Sequence, residues 1–171
     1  MVPFVTIPDR TLFPLEQDTT PLGYWFSVMA QRYYTLTLHR MQEFDMDRWF
    51  YVLVLIADND GRMSQQQLAE ALMIDKVAML RAIDTLSEKG YVERISCPND
   101  RRKHHIRMLP KAKPVVKAIK KAYAEVNEQA MGDLTPATRK AFLDVLSTLP
   151  ARLSIDGLKP AHIHYTKKIP K

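Results

Sequence analysis

The chain has a single cysteine, Cys97, so no disulfide can form within it and a reducing compartment is its natural setting. It has no apolar run approaching the ~18 residues a membrane span requires. Its start, MVPFVTIPDRTLFP, lacks the basic region and continuous apolar stretch of a secretory leader. A cytoplasmic location and no membrane partner are expected. Acidic residues are in the minority, 19 against 25 Lys and Arg, and the net charge of +6 favours a polyanionic partner. Glycine is scarce and forms no phosphate-cradling loop, and there is neither a nucleophile–base constellation nor a paired-carboxylate motif. His104-His105 and His162-x-His164 have no matched third or fourth ligand at the usual spacing. Catalysis, a bound metal and a cofactor are therefore not expected.

What is present is enough for a packed core: 46% hydrophobic residues and 26% charged ones. Residues 1–20 carry Pro3, Pro8 and Pro14 without periodicity and read as an extended arm. Thr20-Pro21 predicts a helix start, with a hydroxyl at the N-cap and proline at the first position, and the helix runs to about Glu43. Apolar residues surround most of that cylinder, which predicts burial on more than one side, with a second subunit as one candidate cover. Asp45 is positioned to cap a second helix, DRWFYVLVLIAD, ending in the turn NDGR.

A third helix starts with a complete signature: Ser64 as N-cap, Gln67 closing a capping box, Met63 and Leu68 as the hydrophobic staple. Eleven residues later the pattern recurs. Ile74 and Met79 staple around Asp75, and the helix runs to Lys89 and stops at Gly90. The strand-like runs YVERIS and HIRML then flank CPNDRRK, a turn followed at once by three cations. Pro110 opens a long helix to about Met131, ended by Gly132, with Val115, Ile119, Ala122, Tyr123 and Val126 as its apolar face. Lys113, Lys117, Lys120 and Lys121 form a basic face on the same helix. Thr135-Pro136 starts a last helix ending near Leu149-Pro150, and residues 151–171 form a proline-punctuated extension. The fold class is mainly α: a winged helix-turn-helix with long flanking helices and a small β-wing.

Two helices in tandem followed by a cationic hairpin point to double-stranded DNA. At 100° per residue, Met79, Leu80, Ile83 and Leu86 form the buried face of the fourth helix. Val77, Ala78, Arg81, Asp84, Thr85 and Glu88 project outward. Arg81 suits guanine or a phosphate, Val77 and Ala78 suit thymine methyls, and Thr85 and Lys76 suit the backbone. Ser64, Gln65 and Gln66, in the first turn of the third helix, complete the set. Arg101, Arg102 and Lys103 at the wing tip, with Arg94 on its first strand, meet phosphates or a minor groove. An ordinary amphipathic helix with a solvated polar face is the plain alternative for residues 76–89 taken alone.

From Leu22 to about Leu149 the sequence resembles a MarR-family transcriptional regulator. The resemblance is carried by FDMDRW at 44–49, LAEALMIDKVAMLRAIDTLSEKGYVER at 68–94 and the wing PNDRRKHHIRMLP, whose Asp100-x-Arg102 matches the family's acidic-x-arginine signature. It implies a homodimer. Residues 21–44 and 110–150 would be the dimerisation helices and 45–109 the DNA-binding domain, with wing arginines in minor grooves of a pseudo-palindromic operator and repression as the usual outcome. Three positions depart from the family's habit: Met73 stands where glycine is frequent, Asp75 where serine or threonine is, and Leu109 where a capping threonine is.

The family's usual effectors are small aromatic or phenolic acids or thiol oxidants. Trp25, Met29, Arg32, Leu36 and His39 form one stripe on the first helix, with an arginine among aromatics as a carboxylate anchor and Trp49 to close the site. Dimer packing explains the same stripe. Cys97, near the wing cations, offers a redox route, although the sensing cysteine of oxidation-responsive members lies near the start of the first helix, where this sequence has none. A nonspecific or architectural DNA-binding protein, and a protein-interaction module on the same fold, remain as alternative classes.

Overall fold

The computed structural model of the protein describes residues 19–44, 49–97 and 100–154, with residues 100–103 described by backbone course only. The arm at 1–18, the Asp45 cap, most of the C-terminal extension and the His162–His164 pair lie outside the described residues. Among the described residues, six α-helices and one two-stranded antiparallel sheet follow in the order α1 (Leu22–Arg40), α2 (Phe50–Asp58), α3 (Gln65–Ala71), α4 (Lys76–Glu88), β1 (Val92–Cys97), β2 (Asp100–Met108), α5 (Lys113–Met131) and α6 (Pro136–Arg152).

The almost wholly apolar α2 lies at the centre of the core, burying Phe50, Val52, Leu53 and Ile56. It packs against α5, whose Val115, Val116, Ile119, Ala122 and Val126 are buried, and against β2 and α3. α1 lies along α5. Their contact is tied by Arg40 to Glu125 at 3.1 Å and to Gln129 at 2.7 Å, and by Tyr33 donating to Asn127 at 3.0 Å. The one buried polar side chain of α1, Thr37, donates to the Tyr33 carbonyl at 2.8 Å, so its burial leaves no hydroxyl unpaired.

The helix-turn-helix is built as its caps dictate. The Ser64 hydroxyl accepts from the Gln67 amide while the Gln67 side chain accepts from the Ser64 amide at 2.9 Å, and Asp75 accepts from the Ala78 amide at 2.8 Å. Both helices then end in the same device. At the end of α4, Gly90 N–H bonds the Ser87 carbonyl and Tyr91 N–H the Leu86 carbonyl, with Gly90 at φ +71°. At the end of α3, Met73 N–H bonds the Glu70 carbonyl and Ile74 N–H the Ala69 carbonyl, with Met73 at φ +52°. This turn needs a left-handed residue, and the sequence supplies a methionine. Its side chain is 64% exposed, so it gains little packing in return. Met73→Gly is expected to stabilise the fold by about 1 kcal/mol, as a higher denaturation midpoint at unchanged slope. A lower midpoint would mean that the side chain contributes more than its strain costs.

The wing pairs Val92 with Met108, Arg94 with Ile106 and Ser96 with His104, slipping register between Ser96 and Cys97. The turn before α3 adds a short third edge. Ser64 bridges His105, Ile106 N–H bonds the Met63 carbonyl, and the Asp60 carboxylate accepts from the Met108 amide at 2.7 Å. The wing base is thus fixed to the helix-turn-helix.

Several sequence expectations are corrected. The N-cap of α1 is Pro21 rather than Thr20, with no side-chain capping bond, and α1 ends at Arg40 rather than Glu43. Pro110 opens a short 3₁₀ turn, Pro110–Ala112, and α5 proper starts at Lys113. α6 continues past Pro150 to Arg152, because a proline in the last turn removes one amide bond without stopping the two residues after it. Gly132 ends α5 as expected, in right-handed geometry. Leu80, expected in the core, is 44% exposed; Ala82 is buried beside Met79, Ile83 and Leu86 instead.

Candidate nucleic-acid interface

Four buried residues of α4 hold it against the body and leave the opposite face outward. Lys76, Val77 and Arg81 are exposed there, and Ala78 and Thr85 are half-buried at its margin. Lys76 and Arg81 engage no carboxylate among the described residues, so their charges are available to a partner. Arg94, on β1, pairs with Asp84 of α4 at 2.7 Å. Sequence spacing treats these two groups separately; the fold joins them, tying wing to helix and masking the one carboxylate in mid-face. Arg107 is likewise neutralised across the sheet by Glu93 at 2.6 Å. In α3, Gln65 is half-buried and Gln66 is exposed, the latter donating to Glu70 at 2.8 Å. The backbone of Asp100, Arg101, Arg102 and Lys103 runs in β2, which places this cationic run on the wing; their side chains lie outside the described residues.

The α5 lysines are partly committed within the chain. Lys120 reaches Asp58 at 2.5 Å and Lys121 reaches Glu125 at 3.8 Å. Lys113, Lys117 and Lys120 border an open cleft of about 390 Å³ floored by Ala57, Met108 and Val116. Cys97 is buried at the end of β1. Among the described residues no three His, Cys, Asp or Glu side chains gather in a metal-binding group, and no helix is long and apolar enough to cross a membrane.

Of the proposed effector stripe, Met29 and His39 are exposed, Trp25, Arg32 and Leu36 are half-buried, and His39 contacts Gln42 at 2.8 Å. The Trp25 indole N–H is buried without a hydrogen-bond partner among the described residues. Trp49 packs on the core beside α2. The fold reveals a second aromatic group that the sequence did not: Tyr33 and Tyr34 of α1, Phe50 and Tyr51 of α2, and Tyr123 of α5. Their ring centroids lie 4.6 to 6.3 Å apart. Burial, then the neighbouring tyrosines, push the Tyr51 and Tyr123 hydroxyls well above their ordinary range. The Tyr123 hydroxyl is buried without a partner among the described residues. Three distant segments contribute to this cluster, so no local spacing signals it.

Residues 46–103, the segment from just before α2 through the wing, match the MarR family profile. The fold is similar to that of a MarR transcriptional regulator from Methanosarcina mazei, at TM-score 0.71 and 23% identity over 77% of this chain and 94% of that one. It is also similar to the transcriptional regulator SlyA, at TM-score 0.73 and 21% identity over 78% and 94%. A third similar structure is the transcriptional repressor CouR bound to a 23-mer DNA duplex, at TM-score 0.66 and 27% identity over 75% and 92%.

Proposed function

We propose that this chain, whose residues 46–103 match the MarR family profile, is a winged helix-turn-helix transcriptional regulator of that family, acting as a homodimeric repressor of a pseudo-palindromic operator and released by a small aromatic or phenolic acid. The observation that carries the DNA reading is the outward face of α4. Its cations are unengaged within the described chain, its mid-face carboxylate is held by Arg94, and a run of three cations follows on the wing. Arg81 would contact base edges or a phosphate. Val77, Ala78 and Thr85 would line the groove, with Lys76, Ser64, Gln65, Gln66 and Arg94 on the backbone. Arg101 and Arg102, the latter in Asp100-x-Arg102, would serve the minor groove, with Lys103 on the backbone. The 23-mer duplex bound by CouR supports this partner class.

The second copy is supported by α6, which has no buried residue. Phe142, Val145, Leu146, Leu149 and Leu153 recur at helical spacing along one face, and Leu22 and Met29 are exposed on α1. An effector would favour a reading-head spacing that no longer fits the operator. Trp25, Met29, Arg32, Leu36, His39 and Trp49 remain its proposed lining, and the tyrosine cluster is a second candidate, on the strength of its unpaired buried hydroxyl.

On a duplex enriched from a random pool, Arg81→Ala is expected to narrow the gap between specific and nonspecific affinity by roughly 10- to 100-fold, the worth of a bidentate base contact. Equal weakening on both duplexes would place Arg81 on a phosphate. No change on either would remove it from the interface.

A further inference from the structure

The exposed face of α4 is not only cationic. Val77 is 57% exposed and Leu80 44%, on a helix whose core is already complete with Met79, Ala82, Ile83 and Leu86. The exposed part of Leu80 contributes nothing to the fold of its own chain, and it lies beside a second exposed aliphatic side chain rather than alone. At about 100° per residue, Leu80 and Val77 are separated by about 60° and Val77 and Arg81 by about 40°. All three therefore project from one sector within little more than one turn. Arg81 and Lys76 provide positive charge beside this aliphatic pair, and Asp84, the nearest acid on that side, is held by Arg94.

The occupant of such a surface must be anionic and must also present small apolar groups. The major groove of duplex DNA does both. Its phosphates flank a floor whose one apolar group is the thymine C5 methyl. We propose that Val77 and Leu80 read thymine methyls beside the base pair engaged by Arg81, so that each half-site carries thymines at the positions facing these two side chains. This rests on the operator-binding reading above and adds the chemistry of the sequence read. Leu80 thereby becomes a specificity-determining residue.

The test uses the full-length protein and the duplex it enriches from a random pool. Each half-site thymine is replaced in turn by deoxyuridine, which removes only the methyl group. At the positions facing Val77 and Leu80 the affinity is expected to fall about three- to fivefold, the worth of one buried methyl. Leu80→Ala should bind the thymine and uracil duplexes equally at its own position, and Val77→Ala should do so at a neighbouring one. Both side chains are exposed, so thermal unfolding should be nearly unchanged. Indifference to uracil at every position, with sequence-specific binding intact, would overturn the methyl-reading proposal alone. So would a Leu80→Ala variant that retains the full thymine preference, or one that weakens both duplexes equally. Failure to enrich any duplex would overturn the operator-binding reading, and this proposal with it.

Discussion

Phe142→Glu combined with Leu146→Glu is expected to give a protein that sediments as a single chain and binds a two-half-site duplex at least 100-fold more weakly. Neither side chain is buried within the chain: Phe142 is 41% exposed and Leu146 37%. The fold of each chain should therefore survive, with an unchanged circular dichroism spectrum. In a dimer the same two positions would place four carboxylates in an apolar interface. Burying unpaired charge there costs far more than the apolar burial that the two substitutions remove. The weaker DNA affinity follows from geometry. Once one reading head is bound, the second sees its half-site at an effective concentration in the mM range, and a lone chain forfeits that gain. A variant that stays dimeric would assign the α6 face to some other partner. A variant that becomes monomeric yet binds as before would show that one copy is enough for the operator.

Arg102→Ala is the second large effect. It is expected to weaken duplex binding by roughly one to two orders of magnitude at physiological salt, as removal of a charged, multiply donating group would. The expectation rests on sequence order and on the run of the backbone: Arg102 follows Asp100 on β2, next to the turn of a hairpin whose base is fixed by Asp60, Met63 and Ser64. A rigid base lets the wing deliver charge at a set distance from α4. Nearer the base, Arg94 is paired with Asp84 and Arg107 with Glu93, and the sequence adds three further cations at 101–103. The salt dependence should fall together with the affinity, by about one unit of slope for each phosphate that is no longer neutralised. Unchanged affinity would remove the wing from the interface.

The helix-turn-helix was legible in the sequence because its determinants are local. Ser64 with Gln67, Asp75 with the Ala78 amide, and Gly90 each act within a few residues, and the structure has all three as expected. Thr135 is another such case, accepting from the Thr138 amide at 3.2 Å. Features decided by packing were harder to see. Periodicity places Leu80 in the core, but the packed face of α4 takes in Ala82 and leaves Leu80 at its edge, 44% exposed. The Asp84–Arg94 pair joins a helix to a strand, and the tyrosine cluster joins three helices, so neither has a spacing rule to betray it. Met73 is an intermediate case. A glycine would have signalled the left-handed turn, whereas the methionine conceals a helix end that the hydrogen bonds make plain.

The effector reading is the least constrained by local pattern. Each candidate holds a buried donor without a partner among the described residues, the Trp25 indole N–H in the α1 stripe and the Tyr123 hydroxyl in the tyrosine cluster, and such a group is costly unless something pairs with it. Thermal unfolding with benzoate or a hydroxybenzoate, repeated with Tyr123→Phe and Arg32→Ala, separates the two. Loss of stabilisation in only one of the variants identifies the pocket.

The most direct test of the central claim is selection of random duplexes by the full-length protein, with the enriched sequence titrated across a salt series. The expected result is an enriched pseudo-palindrome whose half-sites lie about one helical turn, ~34–36 Å, apart, with affinity falling steeply as salt rises. A steep salt dependence with no enriched sequence would contradict the claim and leave a nonspecific DNA-binding protein. The absence of any binding would turn both the wing and the outward face of α4 over to a protein partner.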